Sequence, residues 1–297
     1  MTNQPIRIAC QIFCLIVAFS SNARAGVDVC REPDMQSRLA VELVRFDDAT
    51  FEQDPSTISR KETNVDLLFT AANDKYLFGA GHRYHIFDIE PLPVAFNGHV
   101  HTLFLPLHRV TGDERRKFRV AVAAALSASS NVFKNIGDFT SDAFQVLGAV
   151  TWIRQHSDTI GWRYGLCADH RFGDYRVYPT ASVLWQPRPD WDVELGFPDS
   201  ALRYRVSGSV STALRVMPDG NEWFVLDRTL TSGSEFVYES YRVQLDFDWR
   251  FYNGFALNAS VGRQLDNHYE MTLLDQSRIT LSSDPATRVG VGIEWQF

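Results

Sequence analysis

The run from Tyr241 to Phe251 alternates without a break. Tyr241, Val243, Leu245, Phe247, Trp249 and Phe251 fall on one face of a strand, and Arg242, Gln244, Asp246, Asp248 and Arg250 fall on the other. Successive side chains of a strand point to opposite faces, so one face here is wholly apolar and the other wholly polar. Length narrows the reading. The run matches the roughly 9–11 residues that a tilted strand needs to cross a bilayer, whereas globular strands are more often about 5–6. The last stretch repeats the pattern, with Val289, Val291, Ile293, Trp295 and Phe297 set against Arg288, Gly290, Gly292, Glu294 and Gln296.

Weaker copies fill the rest of the chain. Trp162, Tyr164, Leu166 and Ala168 oppose Arg163, Gly165, Cys167 and Asp169; Trp191, Val193, Leu195 and Phe197 oppose Asp192, Glu194 and Gly196; Leu202, Tyr204 and Val206 oppose Arg203, Arg205 and Ser207. Turn residues such as Asn73-Asp74, Pro198-Asp199-Ser200, Pro218-Asp219-Gly220-Asn221 and Asn253-Gly254 separate the runs. The spacing is that of an antiparallel meander. Asn131–Asp142 and Asp266–Asp284 read as loops. A meander leaves two unpaired edges unless it closes, and lipid forbids open edges. The expectation is an all-β chain forming a single antiparallel up-and-down transmembrane β-barrel. About 12 strands are expected, with 10 or 14 as alternatives, because the short runs near 191–227 can be halves of fewer strands. Trp152, Trp162, Tyr178, Trp185, Trp191, Tyr238 and Tyr252 are expected to form interfacial girdles.

Arg7, the apolar run Ile8–Phe19 and the exit Ala23-Arg24-Ala25 have the parts of a secretory signal peptide. The predicted organisation is a leader over residues 1–25, a short periplasmic lead over 26–34 and a barrel over 35–297. Export through the Sec pathway to the bacterial outer membrane follows. Without the leader, 27 basic residues face 36 acidic ones, which argues against nucleic acid as a partner. Two of the four cysteines remain, Cys30 and Cys167, and a bridge between them would tie the lead to a strand.

The final strand, ending on Phe297, resembles the closing strand of bacterial outer-membrane barrels, whose terminal Phe is read by the barrel-assembly machinery. Three further stretches carry a resemblance: Tyr76–Tyr84, His99–Leu107, and Arg171–Pro179 continued through Trp185–Pro187, Leu195–Pro198 and Leu202–Tyr204. Together they are similar to an uncharacterised family of bacterial outer-membrane β-barrel domains, known as a domain of unknown function, over most of residues 60–297. The resemblance implies location and fold, with outer-membrane lipids as surroundings, and no activity or oligomeric state.

The chemistry must come from the residues. Arg163, Asp192, Glu194, Arg203 and Arg205 are lumen-lining candidates, as are Arg242, Asp246, Asp248, Arg250, Arg288 and Glu294. Tyr241, Val243, Leu245, Phe247 and Trp249 are membrane-facing candidates, with Val289, Val291, Ile293, Trp295 and Phe297. Mixed charges inside a narrow barrel pair and plug it, and in a wider one they line a water path. Gly79, Gly81, Gly290 and Gly292 read as room for a neighbouring strand's side chain. His99 and His101 share a strand face, with His82 on the strand before and His85 on that strand's opposite face. No Cys or carboxylate stands at ligand spacing, so neither a metal nor another cofactor is expected. No nucleotide-binding, zinc-helix or Gly-x-Ser-x-Gly motif is present. The expected function is a passive small-solute pore or a structural envelope component. The alternative is an outer-leaflet lipid-modifying hydrolase of phospholipase or lipid A deacylase type, motivated by those histidines beside the stretch Glu90–Gly98.

Overall fold

In the computed structural model the alternating segments pair into one sheet that closes on itself. Residues 28–92, 94, 98–113, 115–134, 140–226, 233–273 and 277–297 are described. The expected leader, residues 1–25, lies outside them. The strands are β1 (Arg38–Phe46), β2 (Ala49–Thr50), β3 (Thr57–Ala71), β4 (Tyr76–Glu90), β5 (His99–Gly112) and β6 (Arg116–Ser129). Next come β7 (Phe144–Gln155), β8 (Ile160–Asp169), β9 (Arg176–Arg188), β10 (Trp191–Phe197), β11 (Ser200–Arg205) and β12 (Val210–Pro218). The chain ends with β13 (Asn221–Leu226), β14 (Gly233–Tyr252), β15 (Phe255–Thr272), β16 (Arg278–Ser283) and β17 (Ala286–Gln296).

Among the described residues, fourteen strands form the ring. β1 closes it by pairing antiparallel with β3 on one side and β17 on the other. β2, β13 and β16 stand outside the ring. They pair with the extended ends of β3, β14 and β15. The expected 12 strands become 14 because β10, β11 and β12 are separate staves rather than halves. β10 and β11 have only 7 and 6 residues, yet each pairs with both its neighbours in chain order.

One end of the ring carries tight turns. Ala72, Asn73 and Asp74 sit at φ near +55° to +60°, and Gly254 follows Asn253 at φ 86°. Arg38 and Gln296 pair at this same end. The opposite end carries the longer connections and the three additional strands. There much of Asp266–Asp284, expected as a loop, is sheet among the described residues: β15 runs to Thr272, and β16 (Arg278–Ser283) pairs with it.

β14 shows why. In its lower half Tyr241, Leu245, Phe247 and Trp249 point outward and are exposed, while Gln244 and Asp246 point inward and are buried. In its upper half Phe236 and Tyr238 point inward and are buried, and Glu235 is exposed. The apolar face changes sides within one strand. Below the change the outside is built for lipid and the inside for water; above it the ordinary rule of a water-soluble sheet returns.

The outward belt continues round the ring, with Leu105 63% and Val146 65% exposed. Monomeric soluble proteins rarely expose a contiguous apolar surface of this kind. Trp152, Trp162, Trp185 and Trp295 stand exposed on it near the turn end, with Tyr252 beside the last turn. Tyr178 and Tyr238, expected in the girdles, are buried inside instead. Tyr178 hydrogen-bonds the Asp169 carboxylate at 2.9 Å, and Tyr238 packs among rings. The glycine reading is met at Gly81, where the Phe104 ring and the Asp66 carboxylate fill the space a Cβ would need.

Candidate functional site

The interior is built in three layers. The top layer, at the loop end, is an apolar cap. Ile58, Phe87, Ile89 and Val100 project inward from the ring and meet Trp223, Val225, Phe236, Tyr238, Tyr269 and Met271. Strand β13 crosses the mouth to reach them. It pairs with β14 along its length and touches β6 through a parallel bridge at Phe224–Ala128. The Trp223 indole N–H and the Asn221 amide both donate to Thr102 Oγ1, at 3.1 and 3.0 Å. Phe87 stacks edge-on against Phe236 at 4.8 Å, and Tyr238 lies 5.0 Å from Tyr269.

Below the cap lies a charged layer. Arg60 packs under the Tyr238 ring at 4.3 Å and the Phe46 ring at 4.6 Å. It pairs with Glu62 and with Asp219 at 3.3 Å. Arg288 pairs with Glu42 at 2.9 Å, and Arg242 with Asp219 at 3.5 Å. These side chains border a cavity of about 210 Å³ that also touches Arg83, Thr102, Asp169 and Arg171. Polar side chains with no partner waters in a lipid-facing wall would be costly; turned inward they pair with one another.

The third layer comes from the chain's own N-terminal segment. Asp28–Asp34 lies inside the ring and runs from beside Arg171 down toward Arg38 at the turn end. Val29 and Cys30 are buried against Ala121, Ala123, Ala149 and Tyr178 of the inner wall. Cys30 is disulfide-bonded to Cys167 of β8. Arg31 pairs with Asp199 at 3.2 Å, Glu32 with Arg163 at 2.8 Å and Asp28 with Arg171 at 3.2 Å. Arg119 donates to the Arg31 carbonyl. This strap narrows the lumen on the β6–β9 side. Partial burial opposes the charge of Glu32, but Arg163, Lys117 and Arg119 outweigh it and hold the carboxyl below its usual range. Asp199 is likewise held well below that range against its burial, by Arg31 and Arg171. Burial pushes Asp34 up, against the pull of Arg38, Arg250 and Arg203.

The expected lumen residues fall on the inner face, distributed over these layers. Arg163 bridges Glu32 and Glu194, Arg205 pairs with Asp192, and Arg215 pairs with Asp246 at 3.0 Å. Arg242 and Arg288 belong to the charged layer. Arg203, Asp248 and Arg250 stand toward the turn end, where Arg250 is exposed, and Glu294 is fully buried. The expected membrane-facing residues are exposed on the outside, except Val243, which is half-buried. Sequence reading missed the strap, Arg60, Glu62, Arg119 and the cap. The signal for the strap was the pair Cys30 and Cys167.

The histidines divide. His85 and His108 point inward and are buried, whereas His82, His99 and His101 lie on the outer face. Among the described residues one group has metal-like spacing, Cys30, Cys167 and Asp169, and its two sulfurs are already bonded to each other.

The model of a domain family described as "Domain of unknown function (DUF6268)" matches residues 116–295. The chain belongs to this family. Of the three stretches that carried the resemblance, the one beginning at Arg171 lies inside the matched span and the two earlier ones precede it. No curated protein matches. Among solved structures, the chain is similar to the COG4313 outer membrane channel from Pseudomonas putida F1, with 10% identity, 94% of this chain and 99% of that chain covered, and a TM-score of 0.46. The NanC porin gives 7% identity, 87% and 100% coverage and a TM-score of 0.42. The translocator domain of the autotransporter NalP from Neisseria meningitidis gives 11% identity, 98% and 96% coverage and a TM-score of 0.40.

Proposed function

We propose that this barrel sits in a bacterial outer membrane and passes small polar solutes through a lumen that its own N-terminal strap narrows. One observation carries the reading: the ring is apolar outside and charged inside around a cavity of about 210 Å³. With fourteen strands in the ring the interior is wide enough for charged side chains to border a water-filled space as well as to pair with one another. The tight-turn end lies in the periplasm and the long-connection end outside the cell, following the usual asymmetry of such barrels. On this reading Tyr241, Leu245, Phe247, Val289, Val291 and Ile293 meet lipid, Trp249, Trp295 and Phe297 anchor the periplasmic interface, and Phe297 is the residue the assembly machinery reads. Export runs through the Sec pathway.

A structural role is the second reading, and the aromatic cap at the outer mouth favours it. Planar-bilayer recording separates the two. Stable unitary conductance, altered by Arg250→Glu at the periplasmic mouth, supports the pore. Silence across voltages and salts leaves the structural role.

A further inference from the structure

On the outer face of the wall, away from the lumen, a serine and two histidines form a hydrogen-bonded chain. Ser130 opens the one-turn helix Ser130–Lys134 that follows β6. Its Oγ lies 2.8 Å from Nε2 of His101 on β5, and Nδ1 of His101 lies 3.1 Å from Nε2 of His82 on β4. Tyr84 stacks on His101 at 4.6 Å, and Phe133 meets the same ring edge-on at 5.2 Å. The His101 imidazole is therefore held between rings with both nitrogens engaged. Ser130, His82 and His101 are each partly exposed.

The place matters as much as the geometry. Leu107, Leu105 and Leu103 form the exposed outward row of β5, and the next outward residues are His101 and His99. On β4 the outward row passes from Phe78 through His82 and Tyr84 to the exposed Asp88. The chain of three thus lies where the apolar belt gives way to polar surface, on the loop-end side. In a bilayer this is the depth of headgroups and acyl carbonyls.

We infer that Ser130, His101 and His82 form a hydrolytic site for acyl esters of membrane lipids. Ser130 donates its hydroxyl proton to Nε2 of His101 as Oγ attacks the ester carbonyl. The acyl group passes to Ser130 Oγ, and the alcohol of the lyso-lipid leaves with the proton from His101. Water then attacks the acyl-serine, giving its proton to His101, and Ser130 regains a proton as the fatty acid departs. Ser130 and His101 are the catalytic residues. His82 is a positioning residue: by accepting from His101 Nδ1–H it fixes the tautomer that leaves Nε2 basic. An imidazole thus takes the orienting place that a carboxylate more usually holds. The pathway through the lumen is separate, and conduction neither requires nor excludes this site.

The test uses the full folded chain, verified by heat-modifiable gel migration, in two arms. One arm holds vesicles of phosphatidylethanolamine with labelled acyl chains, and the other holds labelled lipid A. Acyl release in either arm, lost in Ser130→Ala and lowered about 10²–10⁴-fold in His101→Ala, supports the site, and the productive arm identifies the lipid. A fluorophosphonate probe should label wild type and not Ser130→Ala. For His82, alanine should lower kcat more than it raises KM and displace the pH profile, while His82→Asn, which keeps an acceptor for Nδ1–H, should restore most of the rate. No release in both arms and no labelling from a folded barrel overturns the inference. Release undiminished in Ser130→Ala overturns it equally.

Discussion

Cys30 and Cys167 stand 137 positions apart in sequence, and the bond between them holds their Cα atoms 5.6 Å apart and ties the strap to the inner wall. The strap it fixes takes no part in the ladders that close the ring. Cys30→Ser should therefore still fold, with heat-modifiable migration like that of wild type. The freed Cys167 is buried under the strap, so a maleimide should label it slowly in Cys30→Ser and rapidly once Glu32→Gln also removes the strap's pair with Arg163. Fast labelling in the single variant would mean that the ion pairs contribute little to holding the strap.

Phe247 and Asp246 are neighbours on opposite faces of β14. Phe247→Arg places a charge on the outer belt, at a cost on the order of 2–4 kcal/mol near mid-depth, and should block stable insertion. From alternation alone Asp246→Asn would be harmless. The structure reverses that expectation, because Asp246 is fully buried against Arg215 at 3.0 Å. Removing one partner of a buried pair costs on the order of 3–5 kcal/mol. Thermal melting in detergent should show both variants destabilised, and an unchanged melt for Asp246→Asn would contradict the pairing.

The faces of the ring strands were legible because a period of two survives even where the lumen is crowded. The strand count was not, since β10 and β11 are shorter than a usual spanning strand. Asp266–Asp284 was lost for another reason. Tyr269, Met271 and Leu281 turn inward there, but the apolar face has changed sides relative to Leu257 and Val261 below. Asp266, at φ 56°, marks the interruption, and the β14–β15 register shifts beside it. A single search for one inside-out pattern reads such a strand as noise. The strap, Asp28-Val29-Cys30-Arg31-Glu32-Pro33-Asp34, has no periodicity at all, and only its cysteine pointed to the wall. The outer-face site was half legible: the histidines shared faces as expected, but Ser130 joins them only through strand register.

Acid should loosen the strap. Glu32 and Asp199 have folded-state pKa values held below the ordinary carboxylate range. Groups of that kind stabilise the docked state fully above their unfolded values and lose that contribution as pH falls through the folded ones. Asp34, raised by burial, works in the opposite sense. Protonation breaks the direct pairs Glu32–Arg163 and Asp199–Arg31, so strap docking should weaken below about pH 4. Hydrogen exchange of the strap amides in the reduced protein, corrected for the intrinsic pH dependence of exchange, should accelerate in that window. Corrected exchange that stays constant from pH 7 to pH 3 would contradict docking by these ion pairs.

If the strap narrows a solute path through the lumen, releasing the strap should widen that path. Planar-bilayer recording of one preparation tests this most directly, comparing the oxidised protein with Cys30→Ser/Glu32→Gln, in which the covalent tie and the Glu32–Arg163 pair are both gone. The double variant should show a larger or more frequent unitary conductance at the same voltage and salt. Identical traces from the two proteins would contradict it.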